Sequence, residues 1–254
     1  TTLAMAQESG TVLSAHDRHS LAVVDGTPMA LPTGVAIGPD GTVAVADGVN
    51  GRVVRFSADG ALLSTWSGPA RDPLLRPMDV DFDDSGRLWV ADGGRAEVVV
   101  FDRDGRVERT LAVALGDDGD PVDLTGLAIT PDGQQLWVVD NDGHRLGATA
   151  PERSAGFVTL GALGASLGQL RYPFAVALGP DGGAVVTDVI NGRVQPFSPR
   201  GQARRPMASY GVDVGQLYRP KGVDVDAEGR VWVVDGTMGV VQVFEASGRF
   251  AGVV

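Results

Sequence analysis

Residues Arg219 to Phe244 read RPKGVDVDAEGRVWVVDGTMGVVQVF, and the fold is decided by how this stretch divides. Alternating residues from Gly222 predict a first strand, and Ala227-Glu228-Gly229 predicts a turn. A second strand runs from Arg230 to Asp235, and a third from Val240 to Phe244 after another turn. One such unit leaves its sheet faces uncovered, so it needs copies of itself. The chain supplies them at Leu31 to Phe56, Arg76 to Phe101, Thr125 to Arg145 and Tyr172 to Phe197. The Asp closing the second strand falls at Asp47, Asp92, Asp140, Asp188 and Asp235, so successive copies lie 45, 48, 48 and 47 residues apart. A fixed period of this size marks a repeat architecture.

The first thirty residues fit the repeat only loosely. Thr2 to Ala6 matches a first strand, Glu8-Ser9-Gly10 a turn, and Thr11 to Ala15 a second strand, with His16 where other copies carry Asp. Counting this degenerate copy gives six. A fourth, outer strand follows each third one, at Ala61 to Trp66, Val107 to Val113, Gly156 to Leu160 and Phe250 to Val254. Six four-stranded antiparallel units without helical periodicity predict an all-β, six-bladed propeller. The 254 residues are expected to form one domain, with blades over 1–31, 32–70, 76–115, 121–165, 172–212 and 219–254. Pro196 falls inside a third strand, where a missing N–H predicts a bulge.

Composition excludes several functions. The net charge is −11, and Lys221 is the only lysine among 21 basic residues. Without a concentrated basic patch, such a chain repels phosphate backbones, so no nucleic-acid partner is expected. There is no cysteine, hence no disulfide, thiolate metal site or Cys nucleophile. No apolar run reaches the ~20 residues of a membrane helix. The chain opens on Thr1 rather than Met, as expected of a processed or trimmed protein. No acyl-transfer, Walker or dinucleotide fingerprint is present.

The phrases at Pro32 to Ile37, Asp40 to Asp47 and Asn50 to Phe56, repeated around Asp188, Asn191, Arg193 and Phe197, resemble NHL repeats. Such propellers include RNA-binding, protein-binding, sensor and lyase members, so the resemblance implies a fold more than an activity. The stretch from Tyr218 to Phe244 is also similar to bacterial envelope NHL proteins found beside multihaem cytochromes. That similarity implies a periplasmic or extracellular location and a protein partner, with a multihaem cytochrome as the candidate.

Topology brings strand-one starts and second-turn residues to one face. That face is expected to carry Thr33, Met78, Thr125, Phe174 and Lys221 at the channel mouth. The binding-face candidates are Met78, Arg95, His144, Phe174, Lys221 and Met238, because Met, aromatic and Arg residues are enriched in interfaces. The repeated Asp reads as a cap on the following turn, and Arg52, Arg145 and Arg193 as partners of acids on neighbouring blades. His144 stands where NHL-type amidating lyases place a zinc ligand. The matching positions Ser20, Gly51, Ala96, Gly192 and Gly239 hold no ligand, so neither metal nor cofactor is expected. Asp79, Asp81, Asp83, Asp224 and Asp226 replace Gly or Ala on first strands and could line the channel. The leading expectation is a non-catalytic binding propeller with no catalytic residue. The alternative is a metal-dependent lyase or lactonase-type enzyme at the channel mouth.

Overall fold

The structure, a computed structural model, describes residues 11–12, 23–24, 26–116, 121–152 and 156–254. Strands are numbered in chain order. Two short strands, β1 (Thr11–Val12) and β2 (Val23–Val24), precede β3 (Thr27–Pro28). The first blade holds β4 (Pro32–Ile37), β5 (Val43–Asp47), β6 (Arg52–Phe56) and β7 (Leu62–Trp66). The second holds β8 (Pro77–Phe82), β9 (Leu88–Asp92), β10 (Glu97–Phe101) and β11 (Val107–Ala112). The third holds β12 (Leu124–Ile129), β13 (Leu136–Asp140), β14 (Arg145–Thr149) and β15 (Val158–Leu160). The fourth has β16 (Pro173–Leu178), β17 (Ala184–Asp188) and β18 (Arg193–Pro196). The fifth has β19 (Pro220–Val225), β20 (Val231–Asp235), β21 (Val240–Phe244) and β22 (Phe250–Val253).

The described residues therefore make five blades of three or four strands, not the six expected. Instead β1 adds to the outer edge of the fifth blade, parallel to β22, and β2 pairs with β3 as a two-stranded ribbon. A physical reason lies in the sequence. In every other copy a buried Asp at the end of the second strand ties down the incoming chain, and here that position is His16. His16 and His19, with the rest of residues 1–10, 13–22 and 25, lie outside the described residues.

Within each blade the second strand is the core. Trp89, Trp137, Leu88 and Leu136 are fully buried, and each such side chain contributes about 1.5–3 kcal/mol through the area it removes from water. Neighbouring blades share clusters: Trp89 and Ala91 pack with Leu127 and Ile129, while Trp137 and Val139 pack with Val176. First strands pack in succession, β4 on β8, β8 on β12, β12 on β16, and β16 on β19, which places them innermost. The fourth blade departs from the pattern. Pro196 keeps its place opposite Val185 with no register shift in the inner ladder. The irregularity falls on the outer side, where only isolated bridges from Val194 to Met207 and from Phe197 to Ala203 remain. The carbonyl of Pro196 accepts the Arg204 N–H on that same side, so the donor that proline lacks is missed at the edge. No helix among the described residues is long and apolar enough to cross a membrane.

Candidate active site

Every first strand begins with a register shift. It falls after Pro32, Pro77, Leu124, Pro173 and Pro220, where an extra residue or two bulges out of the ladder. Bulges re-aim side chains. The re-aimed residues are Thr33, Met78, Thr125, Phe174 and Lys221, the five expected at the channel mouth. Hydrogen bonds tie them round the ring. Thr33 Oγ1 donates to the Pro77 carbonyl at 3.3 Å, and Thr125 Oγ1 to that of Phe174 at 2.8 Å. Thr187 Oγ1 donates to the Lys221 carbonyl at 2.8 Å.

Of the binding-face candidates, the structure brings two into direct contact. Lys221 Nζ lies 3.9 Å from the centre of the Phe174 ring. The ring's negative face offers the ammonium partial compensation for lost water. Burial lowers the Lys221 pKa below its ordinary value, and the adjacent Arg219 guanidinium lowers it further. Arg95 instead forms an ion pair with Asp72 in the loop entering the second blade. Met78 lies against Gly93, and the Met238 N–H donates to Asp235.

His144 occupies a strained turn position. Its φ is +56°, and the equivalent residues Gly51, Ala96, Gly192 and Gly239 are also left-handed. Glycine is the unstrained choice there, so three copies use it. The His144 Nδ1 accepts the Tyr172 N–H at 3.1 Å, and the two rings meet edge to face at 4.5 Å. One ring nitrogen is thus already committed to the fold. Among the described residues no three His, Asp or Glu side chains converge to hold a metal ion.

The repeated Asp is a fastener. Asp235 accepts the N–H groups of Tyr218, Arg219, Thr237 and Met238. Asp188 accepts from Arg171, Asn191 and Arg193. Asp92, Asp140 and Asp235 cap the backbone of the following turn as expected, whereas Asp47 and Asp188 take the side-chain amides of Asn50 and Asn191 there; in all five the same carboxylate also binds the incoming loop. Arg52, Arg145 and Arg193 pair with Asp47, Asp140 and Asp188 of their own blades, not with neighbours.

Asp79 and Asp81 do something the sequence reading did not anticipate. Their Oδ2 atoms accept the N–H groups of Leu127 and Ile129 from β12, at 3.0 and 2.9 Å. Each side chain keeps some accessible surface, yet two crowded strands strip most of its water. Desolvation pushes both carboxyl groups up to about 7 against the pull of those hydrogen bonds; Asp81 raises Asp79 further, and Asp224 and Asp83 raise Asp81. The available signal was Asp standing where other copies place Gly or Ala. Asp83 and Asp226, expected beside them, cap the strand ends instead. Asp83 accepts from Arg87 Nε and Trp89 Nε1, and Asp226 from Arg230 Nε and Trp232 Nε1.

A depression of about 600 Å³ on the opposite face is lined by Ser85, Arg87, Asp102, Arg103, Asp104 and Glu108. It is broad and open, and Arg87 is engaged by Asp83 and Glu152. The mouth, with its desolvated cation, is the better candidate.

Fold and repeat define the class: a β-propeller in which residues 29–56 match the family model of the NHL repeat. No curated protein sequence matches the chain. Among solved structures it is similar to virginiamycin B lyase from Staphylococcus aureus, with a TM-score of 0.66 and 16% identity over 87% of this chain and 68% of that one. A catalytically inactive variant of that lyase with quinupristin gives 0.65 at 16% identity, with the same coverage. A streptogramin B lyase gives 0.67 at 15% identity, covering 87% and 67%. Identity this low carries the fold alone. The solved propellers it resembles are lyases, so the expectation of a non-catalytic scaffold finds no support among them.

Proposed function

We propose that the chain is an enzyme of the lyase or lactonase type, acting at the channel mouth with Lys221 as its base. The observation that carries this reading is the position of the only lysine, half-buried on the Phe174 ring beside Arg219, where burial and the guanidinium disfavour its ammonium form more than the ring favours it. Lyase opening of an ester begins by removing a proton from the carbon next to a carbonyl. A base for this must be un-ionised near working pH, which an ordinary lysine is not. In the proposed step the Lys221 amine takes that proton. The electron pair left on carbon forms a C=C bond as the C–O bond breaks, and the oxygen leaves as part of a carboxylate. Arg219 supplies fixed positive charge to the oxygen on which negative charge develops. No step is routed through a metal.

Quinupristin, present in one of the similar lyase structures, is the first probe. Mass spectrometry separates the outcomes, because elimination opens a lactone without changing its mass whereas hydrolysis adds one water. Wild-type protein should convert the probe or a simpler lactone, and Lys221→Met should lose about 100-fold or more in kcat, the usual scale of a general base. Lack of turnover by correctly folded wild type, or full activity in Lys221→Met, would refute the proposal.

A further inference from the structure

The residue before the closing Asp of each second strand is Ala46, Ala91, Val139, Thr187 or Val234. Four of the five are apolar, and β17 alone carries a hydroxyl there. Thr187 is fully buried. A hydroxyl in that setting costs free energy unless it is bonded, so its partners are informative.

Thr187 Oγ1 joins two blades. It accepts the Ala175 N–H of β16 at 3.0 Å and donates to the Lys221 carbonyl of β19 at 2.8 Å. The Ala175 carbonyl is farther away, at 3.4 Å, so the single hydroxyl proton goes to Lys221. Both partners lie in bulges. Phe174 and Ala175 have no partner in the register with β17, and Lys221 and Gly222 have none in the register with β20. A bulge takes backbone groups out of the ladder, and one hydroxyl satisfies a group from each blade. The chain around Phe174 is also held from the third blade. Thr125 Oγ1 donates to the Phe174 carbonyl at 2.8 Å, and Asn141 Nδ2 donates to the Pro173 carbonyl at 2.6 Å.

Lys221 and Phe174 therefore start from backbone fixed by these side chains, since no ladder joins their two sheets. The lysine stem is four flexible carbons long, so where its Nζ comes to rest depends on where its backbone begins. A proton-abstracting group works only within a narrow range of positions.

We propose that Thr187 is a positioning residue, which sets Lys221 against Phe174 through the Lys221 carbonyl and so aims the amine at the mouth. The inference rests on the reading of Lys221 as the base, but its test is read on the lysine itself, so failure of either shows separately. In intact protein carrying Thr187→Val, the residue type of β13 and β20, the Lys221 amine should titrate higher than in wild type, towards the ordinary 10.5. An untethered bulge lets the ammonium back into water and away from Arg219. Carbon NMR of the reductively methylated protein reads this midpoint without any turnover. Thr187→Ser keeps the hydroxyl and should restore the wild-type midpoint. Where wild type shows turnover, Thr187→Val should lose about tenfold in kcat with KM unchanged, and Thr187→Ser should recover it. Thr187→Ala, the residue type of β5 and β9, takes the place of Thr187→Val if that variant does not fold. The proposal is overturned if folded Thr187→Val or Thr187→Ala titrates at the wild-type midpoint. It is equally overturned if Thr187→Ser moves the midpoint as far as Thr187→Val, since packing rather than the hydroxyl would then hold the lysine.

Discussion

The carboxylate of Asp79 in β8 accepts the backbone N–H of Leu127 in β12 at 3.0 Å, so a side chain does across a blade boundary what a ladder bond does inside a sheet. Asp81 repeats the device two residues on with Ile129. Both carboxyl groups are raised from an ordinary 3.8 to about 7. The folded chain then holds protons that the unfolded chain has released, so the contribution of these two groups is fullest below pH ~4 and is lost as pH rises through about 7. Chemical denaturation at pH 4.5 and pH 8 should show a loss on the order of 2 kcal/mol that shrinks in Asp79→Asn with Asp81→Asn. Asp123 and Asp188 are also raised by burial, so the double variant should flatten the profile without abolishing it. A slope unchanged by the two substitutions would contradict the assignment.

Asp83 and Asp226 allow a comparison of one network at two depths. Each carboxylate receives an Arg Nε and a Trp Nε1 within 3 Å. Asp83 is fully enclosed, whereas the side chain of Asp226 is 21% exposed. Removing the deeper acceptor orphans a buried indole donor and leaves Arg87 only its exposed partners Glu108 and Glu152, and removing the shallower one leaves both donors to water. Asp83→Ala should cost about 3 kcal/mol and Asp226→Ala about 1 kcal/mol in urea unfolding. Asp226 is held at about 2 by the same Trp and Arg bonds, so its contribution is lost only as pH falls from about 4 towards 2.

Much of the repeat was legible because its signals are local. Period, turn glycines and the closing Asp each repeat within a copy, and the alternation of β12 or β19 needs no distant partner to be read. The count of blades was not legible. It depends on whether a degenerate copy finds edges to pair with, and Thr11–Val12 pairs instead with the far end of the chain. The mouth residues could be named from topology, but what each would touch could not. Lys221 meets Phe174 from the adjacent blade, 47 residues away, and nothing in either segment alone encodes that contact.

Lys221 offers a direct measurement. As the only lysine it gives a single ε-amine signal after reductive methylation, so its titration can be followed by carbon NMR without assignment. Its midpoint should lie below the ordinary 10.5, because burial and then Arg219 disfavour the ammonium. Arg219→Gln should move the midpoint up, and Phe174→Leu should move it down by removing the ring that stabilises the cation. Catalytic rate, where turnover is found, should rise with pH along the same curve. A midpoint at the ordinary value would remove the physical basis for Lys221 as a base.

Glycines on the first strands report which inner strands have neighbours. A Cβ at Gly34 in β4 would meet the Asp79 Cα at 2.6 Å, and one at Gly126 in β12 would meet the Phe174 carbonyl at 3.0 Å. In both cases the obstacle is backbone of the next blade, which cannot swing aside. Gly222 holds the same place in β19, and among the described residues its Cβ would touch only the Val234 side chain, at 3.6 Å. Val234 itself is 43% exposed, as are Val35 and Ile37 of β4 at 66% and 74%. Gly34→Ala and Gly126→Ala should therefore destabilise by about 2 kcal/mol or more through forced separation of blades. Gly222→Ala should be close to neutral, or slightly stabilising through reduced freedom of the unfolded chain. Thermal melts of the three variants decide the matter. A Gly222→Ala penalty as large as the other two would show that β19 is covered by a further strand in solution.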